Sequence, residues 1–479
     1  MSSSGSIKRA QDDEPNSKRP CDEIEDRLSS LPNELKTDIV SRLPIRQALK
    51  TSILSRGWKH TFSSLPRLAF FEHQFLSVPN SSRRLVELID WTLANRDESE
   101  LCTLAINFNI FEKPCLTLKS TWINFAVEHN VQYLHIIAQI EETGLPSSLF
   151  TCRTLTVFKF MARAQLLKLP SVIYLPNLKQ MSLVNICFPN DILTEMLFAG
   201  CPLLLLLCIG KCGLDRLSRL TIPCPKLKIL WISNCSGMDT CVINLQGTCL
   251  ENIYYDGPLA RNFEFGTVNR LSGVGFNITR EPDDWRNDNE LAEVAWNLLR
   301  DLIHVRELTL NVLFIKVLWE VRGELWQLRS FRNLTNVRLC VWPSVENEEI
   351  VMSLLGKFCH VQQLMVIIHR PIGFGHVLRM EMHPEKYNLD GVLKHLEHLE
   401  IDYFGGFELE MGFLKFFLGN AKSLTRVILR TPGMIVNSYG DDRFHHDDLN
   451  QETADELMRL SAAYPTVSMT VFDVNHTYN

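Results

Sequence analysis

Residues 155–160 read LTVFKF, 178–183 LKQMSL, 204–209 LLLLCI, 227–232 LKILWI and 250–255 LENIYY. Each stretch is apolar at its first, fourth and sixth positions, and the starts lie 23, 26, 23 and 23 residues apart. Alternation over the last positions fits a short strand with one buried face, and its return at a nearly constant interval marks a structural repeat. One such unit cannot bury its leucines alone. Stacked neighbours can, so the pattern predicts an α/β solenoid whose strands lie side by side in one curved parallel sheet.

Two further copies precede these, at Leu101, Leu104 and Ile106 and at Val131, Leu134 and Ile136. Less regular copies start at Leu271, Val305, Leu334, Val361, Leu396 and Leu424, separated by 21 to 35 residues. This is the pattern of the leucine-rich repeat. The six-residue match is loose in a leucine-rich chain, so the weight rests on the run of near-equal spacings. The extra length of the later copies predicts loops or outer helices. Asn289–His304 carries Leu291, Val294, Ala295, Leu298 and Leu302 at helical spacing and reads as an amphipathic helix behind the sheet. Glu281–Glu290 and Met434–Asp448 are rich in acids and turn formers and read as loops.

Upstream, Asp26–Phe70 has a different character, DRLSSLPNELKTDIVSRLPIRQALKTSILSRGWKHTFSSLPRLAF. Pro32 suits a first helical turn, Glu34 favours the positive helix end, and Leu35, Ile39 and Leu43 recur every fourth residue on one face until Pro44 stops the helix. A second helix is expected from about Arg46 to near Gly57, with Ala48, Leu49, Ser52 and Ile53 at helical spacing and Trp58 following as an anchor. A helical module this short buries little of its surface and is marginal alone, so it wants a partner.

The 479 residues are 46% hydrophobic and 22% charged, an ordinary globular profile. Forty-nine basic against fifty-five acidic side chains leave a formal charge of −6, which argues against a nucleic-acid partner. Residues 1–25 are polar and lack apolar periodicity, so they are expected to form a solvated tail; Lys8-Arg9 and Lys18-Arg19 are short basic pairs with acids among and after them. The tail has neither the apolar core of a secretory signal nor the acid-poor character of a transit peptide. Fourteen cysteines scattered without a signal peptide are expected to be reduced and packed. The expected location is intracellular, in the nucleus and/or cytoplasm. Met196–Gly210, the longest uncharged run, has 15 residues and contains Pro202, too short for a membrane span.

Common catalytic signatures are absent: there is no phosphate-binding G-x-x-x-x-G-K-[ST] loop, no G-x-G-x-x-G, no H-E-x-x-H and no G-x-S-x-G. Cys208 and Cys212 are four apart and no C-x-x-C occurs, so the usual zinc spacing is missing. His395 and His398 fall on an expected strand with side chains on opposite faces, and His445-His446 on an expected loop. Glu408 and Glu410 suit a capped helix start or a strand edge. No catalytic residue, metal ligand or cofactor is assigned.

The stretch from Asp26 to Phe62 resembles the plant F-box, through Leu31-Pro32, Ser41-Arg42-Leu43-Pro44, Ala48, Thr51-Ser52, Leu54-Ser55-Arg56 and Trp58. His398–Arg430 is similar to the FBD segment that accompanies leucine-rich repeats in the same plant group. Gly57 departs from the family's usual second arginine, and Phe62 from its common second tryptophan. The resemblance divides the chain into a tail (1–25), an F-box (26–70), a leucine-rich-repeat solenoid (71–390) and an FBD-like segment continuing the repeats (391–479). It implies a non-catalytic substrate-recognition subunit of an SCF-type ubiquitin ligase complex. Its F-box would dock on a Skp-type adaptor, and through it a cullin, while the repeats hold a protein substrate. The docking residues carried over by position are Leu31, Pro32, Leu35, Ile39, Leu43, Pro44, Leu54 and Trp58, some of which must instead form the module's core. The alternative is a repeat scaffold or ligand-dependent sensor not coupled to ubiquitin transfer.

Overall fold

The computed structural model describes residues 28, 30–75, 81–108, 117–141, 144–245, 249–266, 270–280, 286–342, 345–369, 392–431, 449 and 451–472. The tail, Met434–Asp448 and the first half of Glu281–Glu290 lie outside the described residues. Two compact units divide between Leu65 and Pro66. The segment read as F-box to Phe70 therefore runs past the first unit, because Arg67–Phe71 is already a strand paired with Thr103–Asn107.

The first unit holds three short helices, α1 (Asn33–Ser41), α2 (Ile45–Thr51) and α3 (Arg56–Ser63). Pro32 and Pro44 are the residues just before α1 and α2, where a missing N–H costs nothing. Ser55 caps α3, its Oγ accepting from the Trp58 N–H at 3.4 Å. Here the structure corrects the expected second helix, which ends at Thr51; Gly57 lies in the first turn of a third helix, where an added Cβ would make only ordinary contact, with Ser55 Oγ at 3.7 Å. The Leu35/Ile39 face of α1 is also exposed rather than buried. Lys36 and Val40 turn inward instead, and the Lys36 ammonium sits 5.9 Å from the ring centre of Trp58.

The second unit is built on a parallel sheet of fifteen strands, each paired to the next in chain order. Every one of the thirteen repeat starts read from the sequence is followed two residues later by one of these strands, as at Leu204 and Leu206–Gly210 or Val361 and Gln363–Ile368. Pairing is in register, so the fourth position of each repeat stacks on its neighbours': Phe158 on Met181, Met181 on Leu207, Leu207 on Leu230, Leu230 on Ile253. These residues and their sixth-position companions are buried, whereas the residues between them face away from the core. Backbone bonds step from coil to coil, Lys179 N–H to Thr156 O at 2.8 Å, Lys228 to Leu205 at 2.9 Å, Glu251 to Lys228 at 2.8 Å. The array is the expected α/β solenoid, consistent with a curved stack.

Repeat length decides what returns behind the sheet. The coils starting at Leu204, Leu227 and Leu250 span 23, 23 and 21 residues, and their return paths are the strands Arg219–Thr221, Val242–Leu245 and Asn262–Phe265, which form a second small parallel sheet; the 23-residue coil at Leu155 returns through neither such a strand nor a helix. The coils starting at Leu178, Leu271 and Leu334 are longer and return through the helices Asp191–Ala199, Asp288–Asp301 and Val345–Leu355. A helix rises only 1.5 Å per residue against about 3.3 Å for a strand, so crossing the same depth as a helix takes more residues. Asp288–Asp301 buries Leu291, Ala295 and Leu298, as its spacing predicts.

The two ends of the sheet differ. On Arg67–Phe71 the inward residues Leu68 and Phe70 are fully buried. On the opposite edge strand, Ser468–Phe472, inward Met469 is half-buried and Val471 is 43% exposed.

Candidate functional site

In the first unit the eight residues carried over as docking positions separate by burial. Leu35, Ile39 and Leu54 are 51, 42 and 70% exposed. Pro32 and Pro44 are also exposed, and Leu31 and Leu43 are half-buried. Trp58 is 5% exposed and belongs to the module's interior, together with Phe62 and Ala48. Its place is with the residues expected to form the module's core, and the Lys36 ammonium lies 5.9 Å from its ring centre. Ile53, 83% exposed, and Leu28 join the exposed set. The sequence reading placed Ile53 on a helix. Its signal was adjacency to Leu54 in TSILSR, a stretch that follows α2 and precedes α3. A small unit that leaves Leu28, Leu35, Ile39, Ile53 and Leu54 in water carries an apolar surface built to be covered.

The second candidate surface is the face of the large sheet opposite its core, formed by the first, third and fifth residues of each strand. Around the middle of the array these are apolar: Val157, Val184, Leu206 and Ile229 are half-buried, and Trp231 and Tyr254 are 49 and 43% exposed. Trp231 and Tyr254 are register partners on adjacent strands, with ring centres 5.4 Å apart. Beyond them runs a row of polar groups. Asn234 and Asn277 donate to the two carboxylate oxygens of Asp256 at 3.3 and 2.7 Å, and Asn311 donates to Asn277 at 2.9 Å.

Toward the start of the array, Lys159 lies 5.8 Å from the ring centre of Tyr133. Burial, with Lys159 second, holds the neighbouring His135 ring below its usual pKa. Toward the other end, Arg430 bonds Asp402 at 2.7 Å and also pairs with Glu400, while burial pushes the Asp402 carboxyl up against the opposing pull of Arg338.

The remaining candidates from the sequence have structural roles. Cys212 is buried and donates to the Leu183 and Gly210 carbonyls, both at 3.3 Å, whereas Cys208 is half-buried on the open face. Glu410 is buried in the first turn of the helix Glu408–Asn420 and accepts from the N–H groups of Gly405 and Phe407, which makes it a cap. His395 lies in a helical turn rather than on the strand expected, with its ring centre 5.1 Å from that of His360. Among the described residues no group of three or more His, Cys, Asp or Glu is placed to hold a metal ion. No helix among them is long and apolar enough to cross a membrane.

Comparison with known proteins agrees with this division. Residues 28–70 match the F-box domain, 120–271 the leucine-rich repeats of FBD-associated F-box proteins, and 389–429 the FBD. The chain is 25% identical over 430 residues to the FBD-associated F-box protein At5g22730 of Arabidopsis thaliana, covering 85% of this chain and 88% of the relative. It is 24% identical over 438 residues to F-box/FBD/LRR-repeat protein At1g13780 of the same plant, covering 85 and 91%. To F-box/LRR-repeat protein 13, also from Arabidopsis, it is 29% identical over 206 residues, covering 42 and 44%. The chain thus matches, in this order, the F-box, the leucine-rich repeats and the FBD that occur together in the plant FBD-associated F-box proteins it is similar to.

Proposed function

We propose that this chain is the substrate-recognition subunit of an SCF-type ubiquitin ligase complex. The F-box unit docks on a Skp-type adaptor, which bridges to a cullin, and the open face of the repeats holds the protein to be ubiquitinated. The observation that carries the reading is the exposure of Leu28, Leu35, Ile39, Ile53 and Leu54 on a three-helix unit whose buried apolar side chains, among the described residues, are Val40, Ile45, Ala48, Trp58, Phe62 and Leu65. F-box domains in general bind Skp-type adaptors, and exposed apolar side chains are what such binding would bury.

The chain contributes no chemistry in this role. It raises the effective concentration of a target lysine near the ubiquitin-loaded enzyme, as any tether does. The test is co-expression of the full-length chain with a Skp-type adaptor and a cullin, followed by size-exclusion chromatography. The three proteins are expected to elute together. Elution of the folded chain apart from the adaptor would overturn the reading.

A further inference from the structure

The open face carries three features that the ligase reading does not by itself account for, and they lie on three adjacent strands. The first is the exposed Trp231–Tyr254 pair. The second is Gly275, the register partner of Tyr254 on the next strand. A Cβ added there would meet Thr309 Cβ at 3.7 Å and Tyr254 Cδ1 at 3.8 Å, which is ordinary contact, so the backbone does not demand glycine. Its effect is to leave a gap between Tyr254 and Thr309. Gly273, two residues earlier, leaves no such gap, because the Asn252 amide occupies the space.

The third feature is Asp256. It lies two residues beyond Tyr254 on the same face of the same strand, about 7 Å along it. Asn234 and Asn277 pin its carboxylate by both oxygens. Among the described residues Asp256 has no ion-pair partner, and the ion pairs of Arg430 with Glu400 and Asp402 are several strands away. An oriented carboxylate without a cation, beside two aromatic faces that also attract cations, is half of a recognition site. A phosphate backbone would be repelled here.

We infer that the surface of Trp231, Tyr254, Gly275 and Asp256 binds an extended segment of a protein partner that presents a large apolar side chain next to a lysine or arginine. The apolar side chain rests on the indole and phenol rings, with a terminal methyl or ring edge in the methyl-sized space at Gly275. The cation reaches the Asp256 carboxylate over the ring of Tyr254. This gives a chemical class to the substrate in the proposed function and rests on the substrate-holding half of that reading; it does not require the F-box to dock.

The test uses the full-length chain on its own and a displayed library of random peptides, with enriched sequences synthesised and titrated by fluorescence anisotropy, and adaptor capture measured separately. Enrichment of a large apolar residue adjacent to Lys or Arg is expected, with binding that weakens as salt is raised. W231A and G275V should each weaken binding by about tenfold or more. D256N should weaken the basic peptides to the level of their Lys→Ala counterparts and leave those counterparts unchanged. D256K should reverse the preference toward acidic peptides. Adaptor capture should match the wild type for each variant, and thermal unfolding should match it for W231A and G275V, whose side chains are on the solvent side of the sheet; the Asp256 variants lose hydrogen bonds from Asn234 and Asn277, so their peptide binding is read at a temperature where each is folded.

Absence of any enriched peptide, enrichment without a basic residue, or binding indifferent to W231A and G275V would overturn the inference. Loss of adaptor capture with peptide selection intact would overturn the ligase reading alone.

Discussion

Truncating Ile53 and Leu54 together to alanine separates the two roles that apolar residues play in the F-box unit. Full burial of a leucine or isoleucine side chain is worth about 2 kcal/mol, within a range of about 1.5–3. With Ile53 83% and Leu54 70% exposed, adaptor docking would remove from water about 1.7 and 1.4 kcal/mol worth of surface. The double variant should therefore bind the adaptor about 3 kcal/mol more weakly, roughly a hundredfold or more in Kd. Its folding stability should change by less than about 1 kcal/mol, because neither side chain is covered in the free chain. Trp58→Ala should behave in the opposite way: at 5% exposure its removal leaves a cavity costing about 3–5 kcal/mol of folding stability. Calorimetric titration with the adaptor and urea unfolding of each variant give both numbers. Wild-type affinity for the Ile53/Leu54 variant, or unfolding of that variant as early as Trp58→Ala, would refute the assignment of the exposed face to docking.

Three other outcomes follow from the repeat unit. Phe276 is fully buried with the rings of Tyr255, Phe263 and Phe314 each centred 5.7 Å away, so Phe276→Ala should cost about 3–5 kcal/mol by urea unfolding, and a loss under 1 kcal/mol would contradict the packing. Gly237 has φ +71°, and an added Cβ would meet the Asp215 backbone N at 2.6 Å; Gly237→Ala should lower stability by at least about 1–2 kcal/mol, where a neutral result would contradict the turn geometry. Burial lowers the pKa of both His135 and His369 from 6.5. The folded state then binds fewer protons than the unfolded state between the lowered value and 6.5, so stability is full above that pH and declines as pH falls below it. Urea midpoints should drop on going from about pH 7.5 to about pH 5.5, and drop less in the double His→Gln variant; an equal drop in both would place the dependence elsewhere.

Much of the sheet was legible because one apolar spacing reports one strand. The two strands that escaped are the edges. Leu65, Leu68 and Phe70 do carry the pattern, but they adjoin the helical module and were read with it. The last strand has polar Thr466 where the other repeats begin with an apolar residue, since that end of the sheet has less core to enter. The second small sheet escaped because strands of three or four residues have no period to detect.

In the F-box unit, a four-residue spacing locates an apolar face and is silent on what covers it. Leu35 and Ile39 recur just as core residues would, while the inward side of α1 is taken by Val40 and the aliphatic stem of Lys36. The platform of the open face was illegible for another reason. Trp231, Tyr254, Gly275 and Asp256 lie on three different repeats, and only strand register brings them together.

The unequal ends of the sheet bear on how such an array changes length. Each coil touches only its neighbours, so inserting or deleting one in the middle must remake two interfaces at once. Among the described residues Ser468–Phe472 is the outermost strand, with Met469 half-covered and Val471 43% exposed, so a coil gained or lost there remakes only one. At Arg67–Phe71, where Leu68 and Phe70 are sealed, the same change would first have to uncover a finished core. Variation in repeat number among relatives should therefore collect at the FBD end, leaving the spacing from F-box to central platform constant.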